Sequence, residues 1–275
     1  MPLSVVLMTT EQLYHQVNGV ELCAQTFGDP ADPPVLLIHG ASASMLWWDE
    51  SLCEALAARG RYVIRYDQRD TGRSTTCLPG EPNYAMSDLA ADAVALLDAL
   101  AIPRAHVVAQ SMNGGTGLQI AVDHASRVLS ITFVATTTGD DALPPPSADL
   151  PRFDPPDFTD PAAVEEYVVQ ATAAEVPGMF DEQAMRSLVR RDMARARNYE
   201  SSLTNHYAMV FDGPRAGSFD SIKAPALIIH GESDPIFPLP HGEALRDAIP
   251  NARLVTLPKP ATAYPPRSGA SSSTQ

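Results

Sequence analysis

Short, unbroken apolar runs alternate in the first half of the chain with stretches whose apolar positions recur every three or four residues. Strand followed by helix, repeated, predicts a mostly parallel sheet covered on both faces. Strands are expected at residues 20–27, 35–38, 62–66, 105–109 and 129–135, with a turn at Asn18-Gly19 ahead of the first. The run Val35-Leu36-Leu37-Ile38 has no polar face, as a strand buried on both sides requires. Helices are expected at 50–59, 87–100 and 114–124. In the second of these, Leu89, Leu96, Leu97 and Leu100 form the buried stripe, Ser87 is placed to cap the first turn, and Asp88 suits its positive end.

The alternation then breaks. Seven prolines between Leu143 and Pro161 remove backbone donors and predict an irregular connection. Helical patterns follow at 162–174 and 182–199, so residues 140–215 read as a helical cap inserted between two strands. Met179, Met185, Met193 and Met209 fall within it, and flexible thioethers suit a pocket for a bulky apolar ligand. The sheet pattern resumes at 226–229, with a helix at 241–248 and a strand at 253–257. The chain thus divides into a core at 1–139 and 216–258, the cap, and an irregular tail at 259–275 rich in Pro, Ala, Ser and Thr. No helix pattern in that tail closes the sheet.

Composition narrows the partners. A chain of 275 residues can bury a full core, and its formal net charge of −14 argues against nucleic acid and against an anionic membrane surface. Cys23, Cys53 and Cys77 show no metal-ligand spacing and suit a reducing compartment. The apolar run from Leu3 to Met8 lacks the basic flank and small-residue cleavage site of a signal peptide, and no stretch approaches the roughly 20 apolar residues of a membrane helix. A cytoplasmic protein is expected. No metal, nucleotide or flavin motif appears, so no cofactor is expected, and a hydrophobic small molecule is the expected partner.

The chemistry centres on Ser111. Val107-Val108-Ala109-Gln110-Ser111-Met112-Asn113-Gly114-Gly115 runs from an apolar strand through a serine into small residues opening a helix. A serine on such a turn projects its hydroxyl into a cleft as a nucleophile, and the next backbone N–H meets the developing oxyanion. Ala109 and Asn113 occupy the two glycine positions of G-x-S-x-G, and Asn113 is expected to crowd the turn. His39-Gly40-Ala41 follows the buried strand, so the two oxyanion donors are assigned to the amides of Ala41 and Met112. Residues 66–74, Tyr-Asp-Gln-Arg-Asp-Thr-Gly-Arg-Ser, resemble the loop that follows the fourth strand in α/β-hydrolases, which implies that they pin this region. Asp234, in Gly231-Glu232-Ser233-Asp234-Pro235, sits just past a strand end, placed to orient an imidazole.

Together these stretches resemble the α/β-hydrolase fold family, and within it the methylesterases of anthracycline biosynthesis, of the aclacinomycin and rhodomycin type. The resemblance spans about residues 15–258. It is carried by residues 27–33, 66–75, 89–98 and 105–108, and by Asp234-Pro235 with Pro240-His241-Gly242. It implies removal of the methyl ester from the carbon-10 carboxyl of a tetracyclic aglycone or its glycoside during antibiotic biosynthesis, the acid then being lost by decarboxylation.

The resemblance also implies a Gly-x-Gly-His-Ala-Leu-Pro-like loop after the last strand, followed by a closing helix. This chain instead reads Lys259-Pro260-Ala261-Thr262-Ala263-Tyr264-Pro265-Pro266. Thr262 stands at the histidine position, and a threonine is no general base near neutral pH. Residues 260–266 can be encoded by GC-rich codons that, read from the third base, give Gly-His-Gly-Leu-Pro-Ser. A shifted frame from about residue 259 is therefore expected, and sequencing the gene there tests it. His15, His106, His124, His230 and His241 are expected to be structural, as is His39. His206, in the cap, is the one placed to reach the cleft from above, and a structural role is expected for it too. Two alternatives stand beside the esterase: a binding protein with an incomplete triad, and a cofactor-free haloperoxidase-like enzyme sharing the same constellation.

Overall fold

A computed structural model describes residues 11–176 and 180–258. Strands β1 (Leu13–Val17) and β2 (Val20–Phe27) form a hairpin about Asn18-Gly19, both with positive φ as such a tight turn demands. β3 (Pro34–Ile38), α1 (Glu50–Ala57), β4 (Tyr62–Tyr66), α2 (Met86–Ala99), β5 (Ala105–Gln110), α3 (Gly114–Asp123) and β6 (Val128–Val134) follow. Three helices, α4 (Pro161–Glu175), α5 (Glu182–Arg195) and α6 (Tyr199–Ala208), precede β7 (Ala226–Gly231), α7 (Pro240–Ala248) and β8 (Arg253–Leu257). The sheet order is β1-β2-β4-β3-β5-β6-β7-β8, antiparallel at β1/β2 and β2/β4 and parallel from β4 onward.

This is the doubly covered parallel sheet that the apolar runs predict. Leu36, Ile38, Ile64, Val107 and Phe133 on one face pack against Leu96, Leu97 and Ile120 of α2 and α3. On the other, Val35, Leu37 and Val63 meet Cys53 of α1.

Three local expectations are corrected. Ser87 does not cap α2. The cap is Ala85, whose N–H donates to Asp88 Oδ2 at 2.8 Å, while the Ser87 amide reaches Asp212 Oδ1 at 2.9 Å. The helix expected over 182–199 ends at Arg195, because Ala196 turns to extended backbone and Asn198 starts α6 by accepting from the Ser201 amide. The pocket role suggested for the methionines of the insertion holds only for Met185, which lines the cavity beneath these helices while packing with Met193 in the core of α4 and α5; Met209 packs with Tyr84, Met86 and Leu89, and Met179 lies outside the described residues. Thr262 and the irregular tail lie outside them as well.

Candidate active site

Parallel strands present their carboxyl ends along one edge, and the loops leaving β3, β5, β6 and β7 gather there. Ser111 begins the loop after β5 with φ of 53°, left-handed for a side chain whose Cβ disfavours it, a conformation that costs about 1–3 kcal/mol. Thr136 Oγ1, just past β6, donates to Ser111 O at 2.6 Å and holds the turn from one side. Gly40 holds it from the other. A Cβ there would stand 3.0 Å from Ser111 Cβ, so the backbone of the β3 loop passes directly against the serine. Gly114 is tighter still, since a Cβ on it would meet Thr136 Oγ1 at 2.2 Å.

Both departures from the glycine pattern have partners. The methyl of Ala109 fits because Gly117 faces it, where an added Cβ would lie 2.6 Å away. Asn113 does not crowd the turn as expected. Fully buried, it donates from Nδ2 to His39 O at 2.6 Å and accepts from Thr116 Oγ1 at 2.6 Å, tying the serine turn to the β3 loop. Gln68 Nε2 donates to the same His39 carbonyl at 3.1 Å. The loop at 66–74 behaves as a brace: Asp67, Gln68, Asp70, Thr71 and Ser74 are buried, and Arg69 grips Asp92 through bonds of 2.6 and 2.8 Å.

Ala41, Met112 and Ser111 line one cavity of about 1130 Å³ between the sheet edge and α4, α5 and α6. Trp47, Trp48, Tyr167, Tyr199, Tyr207 and Phe237 stand in its wall among a majority of aliphatic, small and polar residues. It exceeds the usual volume of a small-molecule pocket and can take a bulky ligand. His39 also faces it, and loss of solvation pushes its imidazole down to about 3, leaving it neutral.

Asp234 lies beyond β7 on the same sheet edge and is 4% exposed. Its Oδ1 accepts the amides of Ile236 and Phe237, each at 2.9 Å, while Oδ2 is buried with no partner among the described residues. Burial raises its pKa against those two amides, which lower it. A buried carboxylate oxygen without a donor is costly. No described histidine bonds to Ser111 Oγ. His241 binds Thr137 Oγ1 and the Pro144 carbonyl at 2.7 and 2.8 Å, His230 binds the Phe237 carbonyl at 2.7 Å, and His106 binds Ser130 at 2.7 Å. His206, the candidate for entry from above, is fully buried with both nitrogens engaged, by the Ser42 amide and the Arg69 carbonyl at 3.0 Å each.

Sequence reasoning missed Glu175, the last residue of α4, on the cavity wall. Nothing in its sequence context marks it, because only the fold brings it near Asp234. Burial first, and then the Asp234 charge, push it up to about 7. A carboxyl raised on folding contributes stability that is fully present below the unfolded value of about 4.3 and is lost as pH rises through the folded one. Thermal melts are thus expected to show stability falling between about pH 4.5 and 7.5, by on the order of 1–2 kcal/mol from this group. Glu175→Gln is expected to flatten that slope, and an unchanged slope excludes the assignment.

Among the described residues, no cluster of His, Cys, Asp or Glu is placed to hold a metal, and no helix is long and apolar enough to cross a membrane.

Comparison with known proteins adds identity to this geometry. Residues 33–261 match the family model described as the alpha/beta hydrolase fold. The rhodomycin D methylesterase DnrP of Streptomyces peucetius is 31% identical, over 90% of this chain and 91% of its own. The rhodomycin D methylesterase DauP of Streptomyces sp. (strain C5) is 32% identical with the same coverage. The crystal structure of the enol-lactonase from Burkholderia xenovorans LB400 superposes with a TM-score of 0.71 at 25% identity, covering 91% of this chain and 93% of that one.

Proposed function

Because the chain belongs to the α/β-hydrolase family, we propose that it is a carboxylic ester hydrolase removing the carbon-10 methyl ester of an anthracycline-type aromatic polyketide. The observation that carries this reading is Ser111, held at a left-handed turn against a cavity large enough for a fused-ring ligand. Residues 140–215 act as the cap over that cavity.

Ser111 Oγ attacks the ester carbonyl, and the negative charge forming on its oxygen is met by the amides of Ala41 and Met112. Each such donor is worth about 2.7–4 kcal/mol in the transition state. Methanol leaves, and water then hydrolyses the acyl-serine to the free acid. Both steps need a base to take a proton from the attacking oxygen, and Asp234 serves to orient it. The unpaired Asp234 Oδ2 supports a role for an imidazole N–H at that point. With threonine at 262, the chain as written retains the oxyanion donors and the pocket, which alone leave about 10³–10⁴-fold catalysis over water.

The engagement of His106, His206, His230 and His241 elsewhere favours one second reading, a protein that binds such esters without turning them over. Incubating the chain and a variant with the 262 loop rewritten around a histidine, each with and without Ser111→Ala, with anthracycline methyl esters and weighing the product separates the two. The esterase reading expects loss of one methylene, fast in the rewritten chain and cut back to the residual level by Ser111→Ala. Equal turnover by the rewritten chain with and without Ser111 rejects the serine, and tight binding without turnover in any form selects the second reading.

A further inference from the structure

The backbone from His39 to Ser42 forms one wall beside Ser111, and both of its ends are fixed. At one end the His39 carbonyl accepts from Asn113 Nδ2 and Gln68 Nε2, at 2.6 and 3.1 Å. At the other, Ser42 has φ of 62°, a left-handed conformation that does not persist in a non-glycine residue unless its surroundings impose it. The bond made by the Ser42 amide runs to an imidazole 164 positions away: it donates to His206 Nδ1 at 3.0 Å.

That histidine is fully buried, and its partners fix its tautomer. An amide only donates, so Nδ1 carries no proton. The Arg69 carbonyl only accepts, so Nε2 holds the proton and donates across 3.0 Å. A second proton would set N–H against N–H, and burial keeps the ring neutral by lowering its pKa. The helix presenting it is anchored independently. Ser202 donates to the Asp70 carbonyl at 2.6 Å and Asn205 Nδ2 to the Leu78 carbonyl at 3.1 Å. Positions 202, 205 and 206 share one face of α6, so the imidazole stands on a seated helix.

We propose that His206 is a positioning residue for the oxyanion donors: by accepting the Ser42 amide it holds the Ala41–Ser42 peptide, and with it the Ala41 N–H, in register with Ser111. The inference rests on the serine-esterase reading above. It gives α6 a task beyond covering the cavity, since a side chain of the insertion sets the geometry of a donor in the core. A helix that lifted away would take the imidazole with it and leave the Ser42 end of this wall held only through Met45, three residues further on, whose amide donates to Asp67 Oδ1 at 2.9 Å.

Binding separates this role from simple support of the fold, and needs no turnover. At alkaline pH a naphthylboronic acid can add to Ser111 Oγ: the oxygen lone pair enters the empty boron orbital, the hydroxyl proton passes to solvent hydroxide, and an oxygen of the resulting tetrahedral anion meets the donors. Naphthol fills the cavity without adding. Affinities of both are measured for wild type, His206→Leu and His206→Gln, with Ser111→Ala as baseline and boron NMR reporting the tetrahedral species. For His206→Leu, boronic acid affinity is expected to fall about tenfold to a hundredfold with naphthol affinity within about twofold. Glutamine, able to accept from Ser42 and donate to Arg69, is expected to restore most of the loss. Should the leucine variant fail to fold, His206→Asn, too short to hold both partners, supplies the same comparison. Affinities that fall together, or a boronic acid affinity that does not move, overturn the role. If Ser111→Ala binds the boronic acid as tightly as wild type, the serine reading itself fails and this inference with it.

Discussion

Placing a histidine at position 262, with the surrounding loop rewritten as Gly-His-Gly-Leu-Pro-Ser, is expected to raise hydrolysis of an anthracycline methyl ester by roughly 10³-fold or more. The expectation starts from a carboxylate that is half used. Asp234 spends one oxygen on the amides of Ile236 and Phe237 and keeps the other buried without a donor among the described residues. An imidazole N–H at 262 is expected to satisfy that oxygen and to turn its opposite nitrogen to the serine as a base. Loss of the base from an intact triad costs on the order of 10⁶ in kcat, so a partial recovery is already large. In the restored chain Asp234→Asn is expected to lose about 10⁴-fold, because an amide favours the wrong tautomer. Steady-state assays on the written chain, the rewritten chain, and the rewritten chain carrying Ser111→Ala decide the matter. Absence of any gain, or a gain that survives the serine substitution, rejects this constellation.

Arg195→Ala is expected to destabilise the fold by about 3–5 kcal/mol. Arg195 closes α5 and reaches into the core, its Nη1 and Nη2 bonding Asp67 Oδ1 and Oδ2 at 2.9 and 2.7 Å. The side chains are 7% and 0% exposed. The same carboxylate accepts the amides of Met45 and Arg73, so its charge organises the loops after β3 and β4 together. Removing the guanidinium strands a buried anion, which is the costly case, unlike the loss of a surface pair. For a chain this size the midpoint is expected to drop on the order of 10 °C in a thermal melt. Arg195→Met with Asp67→Asn, which removes the charge as well, is expected to recover part of it. A cost below about 1 kcal/mol for Arg195→Ala means that water reaches Asp67 and the clamp is not buried in solution.

The positions that depend only on neighbours in sequence were legible. Unbroken apolar runs located the strands from β2 onward, and a serine between such a run and small residues located the turn at 111. What escaped depended on distant partners. β1 carries exposed Leu13 and Tyr14 and is a strand by virtue of pairing with β2. α6 has polar residues on its docked face, where Ser202, Asn205 and His206 bond to loop backbone instead of packing apolar surface. Asn113 looked like an intrusion at a glycine position because its two partners, His39 and Thr116, are invisible as partners until the β3 loop lies against the turn. Glu175 gains its character from a cavity and a carboxylate 59 positions away.

The contact between Ala109 and Gly117 links the evolution of two sites. One methyl group's worth of volume is shared by the strand that delivers the serine and the helix that follows it, and this chain has given it to the strand. With glycine at the strand position, an alanine on the helix would have only the flexible Ile131 Cδ1, 3.2 Å away, to displace, and would strengthen the helix by about 1 kcal/mol. A chain with alanine at both positions has to part strand from helix. Across the family these two columns should therefore trade a methyl back and forth, never holding it twice.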